Sequence, residues 1–516
     1  MRVLGPDGGG GERGVARRAR GRERSRGALG QWFGGAGGRG DNGERLGVLH
    51  GRFHRGGAAG RVCPRSRAAD RAHSLLPNPP MPALRAAAAA RAAARPARRL
   101  AAGVHAAAWA GPAPLPPGAR TDSGFLPLPN RRGSLFYLLQ AADVANAPIA
   151  VWLQGGPGAS SLTGCFHEHG RWTTDEATGA LHPNPHAWAA GPCGMHMLYV
   201  EQPAGTGFSK PGPGGPPRSV AAAAADLVAA LTAYFHGPGR TYADHPLLLT
   251  GESHVGRFVP ESAAALLAAP PAGVPRLAGV AVGNGVTDPR SQTLTLAPYL
   301  HAAGLLDAAE AKAAAKAADH VASLIDAGRY RDAHDARQAL LDDLTERCLG
   351  AGGTLLDVRR ARGYDPDNTV AALLRHPAVV AALGVPADHP PWIRKSPDVK
   401  DAMWADKMVS SAPAFARVLS SIPALLYQGV ADAQDGPLSN EAWVEGLQWP
   451  RAGEYGAAAR RPLLDAAGGV AGHARSGGGL TTASIRDAGH MSPRDAPGVV
   501  HALVQGWAAR ALTGGA

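Results

Sequence analysis

Four short apolar runs constrain this chain more than any other feature. Residues 148–153, 197–200, 246–250 and 277–282 are each of strand length, and each stops abruptly at glycine or proline. None alternates apolar with polar residues, so each reads as a strand covered on both faces, as parallel strands between helices are. Residues 220–235 are helical by composition, and 134–140 is a further apolar, aromatic strand. The rhythm resumes with runs at 422–427 and 482–486 and a last helix over 497–511. The expected class is α/β: a mostly parallel central sheet with helices on both faces.

A block between these two stretches breaks the rhythm. Residues 305–349 are rich in Ala, Asp and Leu at helical spacing, and 370–383 is a further helical region. The expected organisation is a core in two parts, 123–300 and 416–516, interrupted by a mainly helical cap over 301–415. No internal repeat of 20–50 residues is visible.

Residues 1–80 are rich in Gly and Arg without apolar periodicity. Such a segment buries too little to offset its ordering entropy and reads as disordered, with Met81 offering a second start. Residues 81–122 read as a targeting segment and Pro-rich linker. Arg85, Arg91, Arg95, Arg98 and Arg99 precede a mildly apolar run that ends in Ala108-Trp109-Ala110, a small-x-small exit. That pattern describes a secretory signal, with an Arg/Ala-rich organelle transit peptide as its rival. The expected location is the secretory pathway, a vacuole or lysosome, or the exterior.

The formal net charge of +12 belongs to this leader. Residues 1–110 hold 21 Arg, no Lys and six acids, whereas 111–516 holds 32 basic and 35 acidic residues. The distribution argues against a nucleic-acid partner. No run approaches the ~20 apolar residues of a membrane helix, so no span is expected. Cys63 lies in the leader, so Cys165, Cys193 and Cys348 allow at most one intrachain disulfide in the rest. No zinc-like CxxC occurs, and no metal or cofactor is expected.

One strand end carries chemistry. In Leu247-Leu248-Leu249-Thr250-Gly251-Glu252-Ser253-His254-Val255-Gly256 an apolar strand feeds a sharp turn at Ser253, the form of a nucleophile elbow. A strand followed by Gly-x-Ser is more often an ordinary connection, so the partners matter. A serine nucleophile needs a base, and the base an orienting acid, in the order Ser, Asp or Glu, His. Asp432 follows the run 422–427, and His490 follows 482–486. Singly, a loop Asp is a turn former and a loop His is solvated; their joint placement at later strand ends raises the reading above chance. Trp152-Leu153-Gln154-Gly155-Gly156-Pro157-Gly158 lets backbone approach a ligand, so Gly156 N–H and His254 N–H are the expected oxyanion donors. A phosphate loop would need the Gly-Lys-Ser/Thr that is missing here.

These stretches resemble those of the serine carboxypeptidases. Gln154-Gly155-Gly156-Pro157-Gly158-Ala159-Ser160-Ser161, Gln202-Pro203-Ala204-Gly205-Thr206-Gly207-Phe208-Ser209, Gly251-Glu252-Ser253-His254, Gly283-Asn284-Gly285 with Asp288-Pro289, and Gly489-His490-Met491-Ser492-Pro493 match five family blocks in order. Gln154, where Asn is common elsewhere, looks most like the vitellogenic and retinoid-inducible branch. The resemblance implies an α/β-hydrolase fold and release of C-terminal residues from peptides or proteins with a free C-terminus, favoured in acid. It also implies a clasp for the substrate carboxylate at Gln154, Glu168 and Glu252, with protonated Glu as donor. An acyltransferase on the same scaffold, a binding protein with an idle triad, and a generic esterase are the alternatives; a monomer and a homodimer are equally compatible. Val255 stands where this fold wants a very small residue and is expected to crowd the elbow. No Asn-x-Ser/Thr sequon occurs.

Overall fold

The computed structural model describes residues 115–513, apart from residues 117, 130, 131, 176, 177 and 365. The leader readings lie outside the described residues. Thirteen strands follow in chain order: β1 (Asp122–Pro127), β2 (Gly133–Gln140), β3 (Ile149–Leu153), β4 (Trp172–Thr174), β5 (Leu181–Pro183), β6 (His196–Val200), β7 (Lys210–Pro211), β8 (Leu247–Glu252), β9 (Leu277–Gly283), β10 (Ala424–Gly429), β11 (Arg461–Leu464), β12 (Val470–Gly477) and β13 (Leu480–Ile485). The main sheet has the order β1-β2-β6-β3-β8-β9-β10-β13-β12-β11, with β7 paired to β2; β4 and β5 form a separate ribbon. The six central strands from β6 to β13 are parallel, and both flanks are antiparallel. This is the expected α/β-hydrolase type of sheet.

Side-chain alternation along these strands feeds two cores. Val151, Leu249, Val280 and Leu426 pack with Leu227 and Leu231 of the helix Val220–His236, and with Phe258 and Val259 of the helix Val255–Ala268. Their neighbours Trp152, Leu248, Ala281 and Leu425 point to the opposite face and meet Leu503, Val504 and Trp507 of the helix Pro497–Thr513. Each fully buried aliphatic side chain stabilises the fold by about 1.5–3 kcal/mol relative to exposure. Covered on both faces, the sheet can present chemistry only at strand ends.

Between β9 and β10 the chain is mainly helical. The helices Leu296–Ala302, Ala308–Asp326 and Tyr330–Leu349 share a separate cluster that includes Leu300, Ala318, Leu341 and Leu344. Asp307 caps the second of them reciprocally with Glu310. The region expected over 370–383 is two helices, Pro366–Arg375 and Pro377–Ala382, because Pro377 lacks the N–H that continuation requires. The helix Ala412–Leu419 begins inside the expected cap, but its Phe415 and Val418 belong to the first core. Strands β11 and β12 escaped the sequence reading because β11 at the sheet edge and β12 next to it have few buried residues and no apolar run. Cys165, Cys193 and Cys348 are free thiols, so no disulfide forms among the described residues. Among those residues no helix is long and apolar enough to cross a membrane.

Candidate active site

Ser253 follows β8 directly and takes φ 68°, a left-handed conformation that is rare for a residue with a side chain. Backbone contacts hold it there. Its N–H donates to Gly283 O at 3.0 Å, and its carbonyl accepts from Gly256 N at 3.0 Å and Val286 N at 2.9 Å. Val255 does not crowd the turn. It is fully buried in the first core, over Gly251, where an added Cβ would come 2.7 Å from Val255 Cγ1. The missing side chain at Gly251 makes the room that a smaller residue at 255 would otherwise provide.

The end of β3 runs alongside this turn. A Cβ on Gly155 would lie 2.4 Å from Ser253 Cβ and 2.7 Å from its Oγ, so the two backbones touch only because position 155 is glycine. Among the described residues, neither Gly156 N–H nor His254 N–H donates a hydrogen bond to protein. His254 follows Ser253 in the chain, and Gly156 follows the Gly155 that packs against it.

Asp432 and His490 meet from separate loops. His490 Nδ1 and Asp432 Oδ2 are 2.6 Å apart, both residues buried. Asp432 Oδ2 also accepts from Asn284 Nδ2 at 2.9 Å, and Oδ1 from the N–H groups of Gln434 (2.9 Å) and Asp435 (3.0 Å). A carboxylate so donated to can only accept from the imidazole, which puts the ring proton on Nδ1 and leaves Nε2 as the acceptor. Burial alone would lower the His490 pKa, but the Asp432 charge and hydrogen bond, with Asp435 behind them, raise it above the usual value. Ser253 Oγ makes no hydrogen bond among the described residues.

Asp435 was missed from the sequence. It lies with Asp432 and His490 in a group whose ligand atoms fall within 4.8 Å of one another. Burial, then the charge of Asp432, push its pKa up to about 7. Asn284 was quoted within a motif but given no task. Its amide donates to Asp432 while its carbonyl accepts from Ser492 Oγ (2.8 Å) and Gly429 N (3.2 Å), tying the two loops together. Its φ of 42° is a signal no sequence pattern contains, although Asn tolerates that region better than most residues.

A second buried cluster sits beside the elbow. Gln154 Nε2 donates to Glu252 Oε1 at 2.5 Å and reaches Glu168 Oε1 at 3.4 Å. The amide orientation is fixed because Trp152 Nε1, which can only donate, gives its proton to Gln154 Oε1 at 2.9 Å. Glu168 is carried inward by the π-helical turn Gly164–His169, all of whose residues are buried. Burial pushes the Glu168 pKa up to about 7, with hydrogen bonds from Glu252 and Gln154 limiting the rise. Burial and the neighbouring Glu168 charge drive Glu252 well above the ordinary carboxylate range. Two adjoining acids that resist ionisation can donate to an anion, which ionised acids would repel. The structure thus joins Asp432 to His490 by a hydrogen bond and gathers Gln154, Glu168 and Glu252 in one buried cluster, with Glu252 preceding Ser253 in the chain.

Sheet order and loop placement define an α/β-hydrolase with a serine-type site at its strand ends. The sequence profile of the serine carboxypeptidase family matches residues 112–510, and the chain belongs to that family. It is 33% identical over 394 residues to serine carboxypeptidase-like 50 of Arabidopsis thaliana, covering 75% of this chain and 87% of the relative. It is 28% identical over 403 residues to the carboxypeptidase Y homolog A of Leptosphaeria maculans, covering 75% and 73%. The crystal structure of Kex1(delta)p, a prohormone-processing carboxypeptidase from Saccharomyces cerevisiae, shares the fold at a TM-score of 0.67 and 21% identity, covering 77% and 92%.

Proposed function

We propose that the protein is a carboxypeptidase that removes C-terminal residues from peptides by way of an acyl-enzyme on Ser253. Ser253 Oγ attacks the last peptide carbonyl, and His490 Nε2 takes its proton while Asp432 holds the imidazolium. Gly156 and His254 N–H groups receive the oxyanion. Collapse breaks the C–N bond, His490 returns the proton to the departing amine, and water then hydrolyses the ester. Gln154, Glu168 and Glu252 grip the free carboxylate of the departing residue. The observation that carries this reading is the buried Glu168–Glu252 pair, both held by Gln154, beside the elbow. A general esterase needs no such pair. The same raised pKa values favour work in a mildly acidic compartment of the secretory pathway.

The test compares the full chain with Ser253→Ala, following release of C-terminal amino acids from N-blocked dipeptides between pH 4 and 8. Release by the wild type alone, strongest in acid, supports the proposal. A protein that reacts covalently with a fluorophosphonate at Ser253 yet releases nothing refutes the peptidase reading and points to acyl transfer. Neither release nor labelling points to an idle site.

A further inference from the structure

The segment joining the helices Tyr330–Leu349 and Pro366–Arg375 has no regular structure, yet it touches both loops that carry the acid and the base. Ala433 N donates to Leu355 O (2.9 Å), Val358 N to Ala431 O (3.0 Å), and His490 N to Leu356 O (2.8 Å). Residues 355–358 therefore lie between the Asp432 loop and the His490 loop, bonded to each. Leu355 is buried in the helical cluster with Ala433, which links this strap to the cap.

Charge fixes the strap in place. Asp357 is fully buried and accepts from Arg359 Nε and Nη2, both at 2.8 Å, from Arg360 Nε at 3.2 Å and from Tyr364 Oη at 3.2 Å. Asp495 answers from beyond His490. It accepts from Arg359 Nη2 (3.0 Å), Tyr364 Oη (2.6 Å) and Gly489 N (2.8 Å), the last being the residue before His490. A Cβ on Gly489 would come 2.6 Å from Asp357 Cγ, so strap and His490 loop are in direct contact. Bidentate, charge-assisted bonds to buried acids hold geometry more tightly than neutral ones do.

We infer that residues 355–364 are a positioning element for the acid–base pair: the cap reaches in and sets the Asp432–His490 distance from behind. This rests on the roles given to Ser253, Asp432 and His490 above. The groups facing His490 are Asp432 and Asp435 from the loop after β10, Lys395 from the cap and Glu168 from the π-helical turn. Asp357, Asp495 and Arg359 act one step behind, through Gly489.

The test uses the full chain carrying Asp495→Asn, Arg359→Met or Arg359→Lys. Arg290→Met, which breaks the exposed pair Arg290–Asp326, is the control. Ser253 sites are titrated with a fluorophosphonate, and the labelling rate per site is followed against pH together with kcat and KM for a dipeptide. Asp495→Asn and Arg359→Met are expected to slow labelling and kcat by about tenfold or more per titrated site, with KM within about threefold, because positioning acts on the transition state. The acid limb of the rate should move to lower pH, since a looser Asp432 contact raises the His490 pKa less. Arg359→Lys should recover part of the rate. Unchanged per-site rates and an unshifted limb, whatever the melting temperature, would overturn the inference. If Asp495→Asn does not fold, the part-exposed Arg359→Met decides. If the wild type labels but releases no residue, the peptidase reading fails while the labelling rates still judge the strap. A wild type that does not label overturns both.

Discussion

Glu168 should set the alkaline limit of substrate binding. Its pKa is pushed up to about 7, first of all by burial. Below that pH the carboxyl is neutral and can donate to a substrate carboxylate; above it two negative charges face each other. At about 4 Å and an effective dielectric near 20, their repulsion is about 4 kcal/mol, so the ionised form effectively does not bind. The protonated fraction falls from about 0.9 at pH 6 to about 0.1 at pH 8, and KM should rise about tenfold across that window. Protonation of His490 acts on kcat at the acid side and leaves this trend in KM alone. In Glu168→Gln the side chain donates without titrating, so the rise between pH 6 and 8 should vanish. A peptide amide, with no terminal carboxylate, should show no such rise with either enzyme. Steady-state kinetics at pH 5, 6, 7 and 8 on both proteins makes the comparison. A KM that is flat for the wild type, or equally steep in Glu168→Gln, refutes the protonated-clasp argument.

Asn284→Ala removes a hydrogen bond to the charged Asp432 and should lower kcat about 10–100-fold with little change in KM, read from dipeptide kinetics. Trp152→Phe frees the Gln154 amide to turn and should raise KM about fivefold at constant kcat, the value of one neutral hydrogen bond. Glu201 is fully buried, accepts from Ser160 Oγ, Trp392 Nε1 and Phe208 N, and has its pKa pushed by burial to about 7. Its folded pKa exceeds the unfolded one, so stability is highest below about pH 4.5 and declines by about 3 kcal/mol as pH rises to about 7. Denaturant unfolding at pH 5 and 7.5 should show that decline in the wild type and a smaller one in Glu201→Gln.

What the residues announce by themselves is local. An apolar run that stops at glycine marks a strand end whatever surrounds it, so β3, β6, β8, β9, β10 and β13 were all visible, and with them Ser253, Asp432 and His490. Gln154, Glu168 and Glu252 were found through family resemblance, because nothing in the spacing of residues 154, 168 and 252 says that their side chains meet. Strands β11 and β12 were silent because strands with so few buried residues, at the sheet edge and next to it, carry no apolar pattern.

The rest was decided in three dimensions. Hydrogen bonds across more than a hundred residues join Asn284 to Asp432 and to Ser492, and the strap reaches His490 and the residues on either side of Asp432 through backbone atoms that every residue possesses. Side-chain chemistry leaves a trace in sequence, whereas a carbonyl at Leu356 does not. Ionisation belongs to the same class. Glu168 and Glu252 are ordinary acids in the sequence, and only their burial against each other in the folded chain raises their pKa values above the ordinary carboxylate range.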